Sequence, residues 1–262
     1  MARVKERGKY DYNFDAMAQK FEESIYGTLK GEWRLKLLQE DLASLHKQRG
    51  LSVWDAGCGL GQMSAWFAKE GHHVIANDLS FKMLERAKEN LQKEGCEVTL
   101  HQASAQEMAN AIPQQDVVLF HAVLEWLAEP LESLKEVAGR VKEDGVLSLL
   151  FFNQHSLIYR NMLKGGWRVG MVRDGSWYGR GKKLTPPHPQ TPEDVEALLK
   201  AEGFEIVTYT GIRVFHDYME KEALNQTNME ELLEMEYRYC RKPTFRSMGR
   251  YIHFVAHKRI ER

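Results

Sequence analysis

The stretch VWDAGCGLGQ, Val53 to Gln62, sets one acid and three glycines at the end of an apolar run. Asp55 precedes Gly57, Gly59 and Gly61, a spacing that lets the backbone turn tightly and come close to another group. Where such a turn leads from a strand into a helix, the first amides of the helix make a seat for a ligand. A nucleoside triphosphate would call for GxxxxGK followed by Ser or Thr, which is absent. A dinucleotide would call for GxGxxG, but Gln62 stands where the third glycine belongs. Asp55 can order the loop and meet a positive charge, whereas a pyrophosphate there would be repelled. A sulfonium bearing an α-amino group suits an acid at that place. Asp78 ends the next strand-like run, and its carboxylate can accept two hydrogen bonds from ribose hydroxyls. It also opens DLSFKML, so Asp78 or Ser80 can cap a helix there.

These residues need elements to hold them. From residue 50 to 152 strand-like runs alternate with helix-like ones. LSVWDAG, HHVIANDLS, CEVTLHQAS, the start of DVVLFHAVLEW, and VLSLLFFN read as five strands. GQMSAWFAKEG, FKMLERAKENLQKEG and PLESLKEVAGRVKEDG read as helices between them. That alternation predicts an α/β fold with a mostly parallel sheet covered on both faces. Residues 13 to 48 read as mostly helical. Residues 153 to 190 break the pattern with glycine, aromatic and basic residues and close on TPPHPQTP, which predicts a long loop-like excursion. PEDVEALLKAEG resumes a helix, capped by Thr191 with Pro192 at its first position. FEIVTYTGIRVF and GRYIHFVAHKR read as closing strands, with the acidic helix MEELLEMEYRYC between them.

The bulk properties agree with one soluble domain of 262 residues, 43% apolar and 28% charged. No apolar run has the length of a membrane span, and the start MARVKERGKYDYNF has no secretory core. Three isolated cysteines make neither a disulfide framework nor a zinc pattern, so the expected setting is cytoplasmic, with no metal. Net charge is −1, yet charge is unevenly placed. Between Tyr159 and Lys183 seven basic residues, Arg160, Lys164, Arg168, Arg173, Arg180, Lys182 and Lys183, meet one acid, Asp174. Between Tyr237 and Arg262 eight basic residues meet one acid, Glu261. Such local excess attracts a polyanion even when the total charge is near zero.

VWDAGCGLGQ, DLSFKMLERA, ASAQEMA and DGVLSL together resemble the class I S-adenosylmethionine-dependent methyltransferases, in that family's order and spacing. The resemblance implies a Rossmann-like fold with a seven-stranded sheet. It implies that Gly57, Cys58 and Gly59 approach the amino acid end of the cofactor, that Asp78 holds the ribose, and that Ala105 and Gln106 flank the adenine. Many members carry Asp where this chain has Ser104. FHAVLEW then sets His121 beside the cofactor, as a hydrogen-bond partner, a base or a core histidine, while Trp126 reads as packing.

IYGTLKGEWR, FHAVLEWLAEP, GIRVFHDY, RYCR and GRYIH are similar, more narrowly, to the tRNA 5-carboxymethoxyuridine methyltransferases, over about residues 10 to 260. That resemblance implies a single methyltransferase domain over 1–262. Residues 10–48 form a helical cap over the cofactor, 50–152 the cofactor core, 153–190 a basic and aromatic insertion, and 191–262 the rest of the sheet and the substrate side. It implies that Arg34 meets the cofactor carboxylate. It also implies methyl ester formation on the carboxylate of a modified wobble uridine. A carboxylate acceptor is already anionic and needs alignment rather than a base. Arg213, His216, Tyr218, Arg250 and Tyr251 are the candidates for positioning it. The basic insertion, with Tyr159, Trp167, Trp177 and Tyr178, suits an anticodon loop. A small-molecule methyltransferase with residues 153–190 as a lid, and a cofactor-binding protein without catalysis, are the alternative readings.

Overall fold

In the computed structural model, residues 9–21, 28–176 and 185–260 are described. Trp177, Tyr178, Arg180, Lys182 and Lys183 of the basic insertion lie outside them. Three helices, α1 (Ala18–Phe21), α2 (Leu29–Asp41) and α3 (Ala43–His46), lead into the sheet. The core then alternates β1 (Ser52–Ala56), α4 (Gln62–Lys69), β2 (His73–Asp78), α5 (Phe81–Lys93), β3 (Thr99–Gln102), α6 (Ala105–Ala111), β4 (Gln115–His121), α7 (Pro130–Ala138) and β5 (Val141–Phe152). Local chemistry marks the helix starts. The Ser80 hydroxyl accepts from the Met83 amide, and Ser104 with Glu107 forms a reciprocal capping box. Thr191 caps α10 (Pro192–Ala201), as its side chain and the following proline foretold.

The excursion after β5 differs from the loop its composition suggested. It folds into α8 (Gln154–Lys164), capped by Asn153, and α9 (Trp167–Arg173). Its two ends meet, because Gln154 N–H donates to the Gln190 carbonyl and Gln190 N–H donates to that of Phe152. Glycine-rich composition at Gly165 and Gly166 marks only the break between two helices. Beyond α10 come β6 (Phe204–Ile212), α11 (Lys221–Gln226), α12 (Met229–Tyr239), α13 (Pro243–Arg246) and β7 (Tyr251–Lys258).

The seven strands form one sheet in the order β3-β2-β1-β4-β5-β7-β6. The first five run parallel, and β7 lies antiparallel between β5 and β6. Side chains alternate between faces with the period of two that strands impose. Trp54, Phe120, Phe151 and Phe254 enter one buried cluster with α6, α7 and α10. Val53, Leu119, Leu150 and Val255 enter the other with α2 and α4. Neighbouring β1 and β4 lead their connections to opposite sides of the sheet. A crevice therefore opens at their carboxyl ends, the general place for a ligand in such a sheet.

Candidate cofactor and acceptor site

The glycine turn after β1 is built around Asn77. Its carbonyl accepts from the Gly57 and Cys58 amides at 2.9 Å, and its side chain is held by Trp54 Nε1 at 2.8 Å. Gly57 has φ of 78°, and a Cβ there would lie 2.4 Å from Val123 Cγ2. Only glycine therefore lets this turn pass under the loop after β4. Gly61, also left-handed, starts α4.

A cavity opens against this turn. Asp55, Gly57, Cys58, Gly59 and Asp78 line its floor, with Ser104 and Ala105 at one end and Arg34 and His121 at the other. Asp78 accepts from the Gly59 amide at 3.0 Å and the Ser80 amide at 2.8 Å, which fixes its carboxylate while lone pairs remain for a ligand. Of the two readings of Asp78, helix capping falls to Ser80. Burial pushes the Asp78 carboxyl above its ordinary range despite those two amides. Asp55 accepts from Ser64 Oγ at 2.5 Å, and burial, with the Asp78 charge beyond it, lifts its carboxyl from 3.8 to about 6. Two buried acids that burden each other suit a ligand bearing positive charge.

Gln106 does not line the cavity. It donates instead to Asp11 Oδ2 at 3.0 Å and Ser133 Oγ at 2.9 Å. Asp11 in turn accepts from the Ala128 amide at 2.8 Å. This braces an N-terminal segment across the cavity mouth, where Tyr12 and Phe14 pack their rings 5.3 and 5.1 Å from Trp126. All three aromatics line the cavity, so Trp126 packs and also forms its wall.

His121 belongs to a chain of buried groups that sequence reasoning missed. Its Nε2 lies 2.7 Å from Ser148 Oγ, which lies 2.8 Å from His253 Nε2, and His253 Nδ1 lies 2.7 Å from Asp41 Oδ2. Burial acts to raise Asp41, but His253 and Arg241 outweigh it and keep the carboxyl below its usual range. The carboxylate can only accept, so His253 Nδ1 carries a proton. Ser148 Oγ links the two rings, donating to one and accepting from the other. Burial, then the neighbouring His253 and Arg34, push the His121 pKa well below 6.5, so His121 is neutral. Its Nδ1 is buried without a hydrogen-bond partner among the described residues. A neutral imidazole wedged in the cavity wall suits a hydrogen bond to a ligand better than it suits general-base work.

The acceptor candidates gather beside this cavity, around Tyr251 at the start of β7. The Tyr251 ring has the Arg34 guanidinium carbon 6.0 Å from its centre and that of Arg213 at 5.5 Å. Arg213 itself adopts a left-handed backbone, φ 60°, rare for a side-chain-bearing residue. Asp217, missed in the sequence, lies 3.2 Å from Arg213 Nε and 3.7 Å from Arg250 Nε. Burial works against its charge, but His216, Arg213, Arg250 and Lys30 together hold its carboxyl far below the usual range. His216 is buried, 3.1 Å from Asp217 and edge-on to Trp33, and Tyr218 donates to the Met248 carbonyl at 2.5 Å. Both thus brace the turn that carries Arg213, and Arg250 and Tyr251 lie beside it. Glu125 is fully buried there too, and burial lifts its carboxyl to about 7.

Comparisons with known proteins agree with this geometry. Residues 54–149 match the family model described as a methyltransferase domain. The chain is 39% identical over 254 residues to the tRNA 5-carboxymethoxyuridine methyltransferase of Escherichia coli (strain K12), covering 95% of this chain and 97% of that protein. It is 29% identical over 180 residues to the ubiquinone biosynthesis O-methyltransferase of Ruegeria sp. (strain TM1040), covering 69% of this chain and 70% of that one. Among solved structures, the magnesium protoporphyrin IX methyltransferase from Synechocystis PCC 6803 with bound SAH superposes with a TM-score of 0.59 at 19% identity, covering 94% of this chain and 95% of that chain.

Proposed function

The chain belongs to the tRNA 5-carboxymethoxyuridine methyltransferase family, and from that premise we propose that it uses S-adenosylmethionine to form the methyl ester of the carboxylate on 5-carboxymethoxyuridine at the tRNA wobble position. The observation that carries this is the family match over nearly the whole chain, including the segments around Arg213 and Arg250 that a shared cofactor fold does not require.

The residues of the cavity fit the cofactor. Asp78, fixed by two amides, accepts from the ribose. Ser104 and Ala105 border the adenine side, where Ser104 is committed to capping α6. Asp55 would receive the positive end with His121 beside it, and the Arg34 fork would meet the carboxylate. When bound, the sulfonium supplies the methyl group: the C–S bond breaks with its electron pair left on sulfur as the new C–O bond forms, and no proton moves. The protein's part is therefore to hold the acceptor in line and dry. A carboxylate of ordinary pKa, about 4, is ionised at neutral pH without help.

The face formed by α8 and α9 supports an RNA partner. Tyr159, Met162, Leu163, Trp167 and Val169 are exposed there, and Arg168 lies 4.6 Å from the Trp167 ring centre. Aromatic faces beside cations stack unpaired bases and meet phosphates. Arg173 is paired with Asp174 at 2.9 Å, which lessens its part in this face. Lys164 ends α8 on the same hairpin. Nucleoside mass analysis of tRNA from cells lacking the gene tests the reading. The free carboxylate should accumulate at the expense of its methyl ester; an unchanged nucleoside profile would count against it.

A further inference from the structure

Arg160 entered the sequence reading as a phosphate contact, yet the fold turns it inward. Ser156 and Arg160 lie one turn apart on α8, so they share a face of that helix. Ser156 is fully buried with its hydroxyl beside that of Tyr218, and the Nε of Arg160 is buried without a hydrogen-bond partner among the described residues. Across from them, Arg250 leaves its Nη1 buried without a partner among the described residues, with its guanidinium carbon 4.3 Å from the centre of the Phe152 ring. Tyr218 lies between, electrostatically coupled to both Arg160 and Arg250. The Tyr159 ring packs 5.4 Å from that of Tyr218, which fixes the end of α8 against the turn.

Charge in this space does not balance. Arg213 and Arg250 share one ionised carboxylate, Asp217, which also serves His216 and lies 3.9 Å from Lys30, while Arg160 adds a further positive charge beside Arg250. Burial, with Arg160 and Arg213 nearby, draws the Arg250 pKa down to about 10 in spite of Asp217. A buried surplus of guanidinium groups is costly unless an anion joins them. Glu125, on the far side of Tyr251, is held toward its neutral form by burial and does not supply that anion fully.

We infer that Arg160, Arg213 and Arg250 form the subsite that receives the acceptor carboxylate, and that Arg160 is a substrate-positioning residue inside the site. The inference rests on the carboxylate reading of the function. It places the anion beside Tyr251, whose ring stands between Arg213 and the cofactor-side Arg34. Forked donors take some of the carboxylate's lone pairs and aim the rest toward the methyl group without quenching them.

The test measures binding, with SAH present so that no transfer occurs. Wild type, Arg160→Gln and Arg160→Lys are each titrated with tRNA bearing 5-carboxymethoxyuridine and with the same tRNA bearing 5-hydroxyuridine, across a salt series. The wild-type preference for the carboxylate should fall roughly tenfold in Arg160→Gln, with partial recovery in Arg160→Lys. Affinity for the 5-hydroxyuridine tRNA and the salt slope should not change. Equal loss for both tRNAs with a shallower salt slope would make Arg160 a phosphate contact and overturn the inference. An intact preference in the folded variants, checked by unchanged SAH affinity, would overturn it as well. Should wild type itself show no preference, the function reading fails along with it; a preference that survives in Arg160→Gln sinks the subsite alone.

Discussion

At the scale of single residues, the floor of the cavity was legible because its chemistry is local. Asp55, Gly57 and Asp78 fall within one strand-turn-helix-strand unit, where spacing alone says which backbone turns and which carboxylate ends a strand. The His121 chain was not legible. Its hydrogen bonds join residues 27, 105 and 212 apart, and only the placing of β7 against β5 brings them together. Glu125 and Asp217 were missed for a similar reason: an acid inside an apolar or aromatic run shows its partner only once the sheet closes. Asp55 gives a prediction of its own. Burial lifts its folded pKa to about 6, so the ionised form weighs against the unliganded fold as pH rises from about 4 toward 6. A cationic ligand favours the ionised form and lowers that pKa. Cofactor affinity should therefore rise as pH climbs through about 6. Calorimetry at pH 6 in two buffers of different ionisation enthalpy should register proton release, largely absent at pH 8 and in Asp55→Asn. Identical apparent enthalpies in both buffers at pH 6 would show that Asp55 does not meet the cation.

At the scale of elements, strand and helix order followed from alternation, while boundaries followed from turns that alternation does not reveal. VKEDG reads as the end of a helix because Lys and Glu are good helix formers and a glycine follows them. The chain caps α7 at Gly139 and begins β5 at Val141, with a register shift against β4 and Asp144 left-handed. The turn after β6 shows how an element places a site. The Glu236 carboxylate on α12 accepts from the amides of Val214, Phe215 and His216 at 2.6, 3.0 and 2.7 Å, which holds the segment carrying Arg213 and Asp217. Gly211 makes this possible, since a Cβ there would lie 2.2 Å from the Arg246 carbonyl oxygen. Glu236→Ala leaves three buried amides without an acceptor and should cost about 3–5 kcal/mol of stability. Denaturant unfolding measures that loss. In the folded fraction kcat/KM for tRNA should fall while cofactor affinity stays near wild type, because the cavity floor belongs to other elements. Loss of cofactor affinity to the same degree would mean that the two halves of the site are not separately built.

At the scale of the whole molecule, a near-neutral chain gathers basic and aromatic surface on one hairpin, the face that the proposed function assigns to tRNA. The sequence showed the sorting but not its shape, because glycine and basic residues read as a loop where two helices form. On the α8–α9 face, Trp167→Ala should weaken tRNA binding at every salt concentration, and Arg168→Ala should weaken it and flatten the salt slope. Both should leave cofactor binding unchanged; filter binding across a salt series decides, and an unaltered slope in Arg168→Ala would move the RNA elsewhere. The central claim, that the methyl group goes to a carboxylate on tRNA, has one direct measurement. Purified protein is given cofactor labelled in the methyl group and tRNA with or without 5-carboxymethoxyuridine, and the product is then treated with mild alkali. The account predicts label only on the tRNA that carries the carboxylate, released by alkali as methanol, as an ester requires. Label that survives alkali, or equal labelling of tRNA lacking the carboxylate, would contradict it.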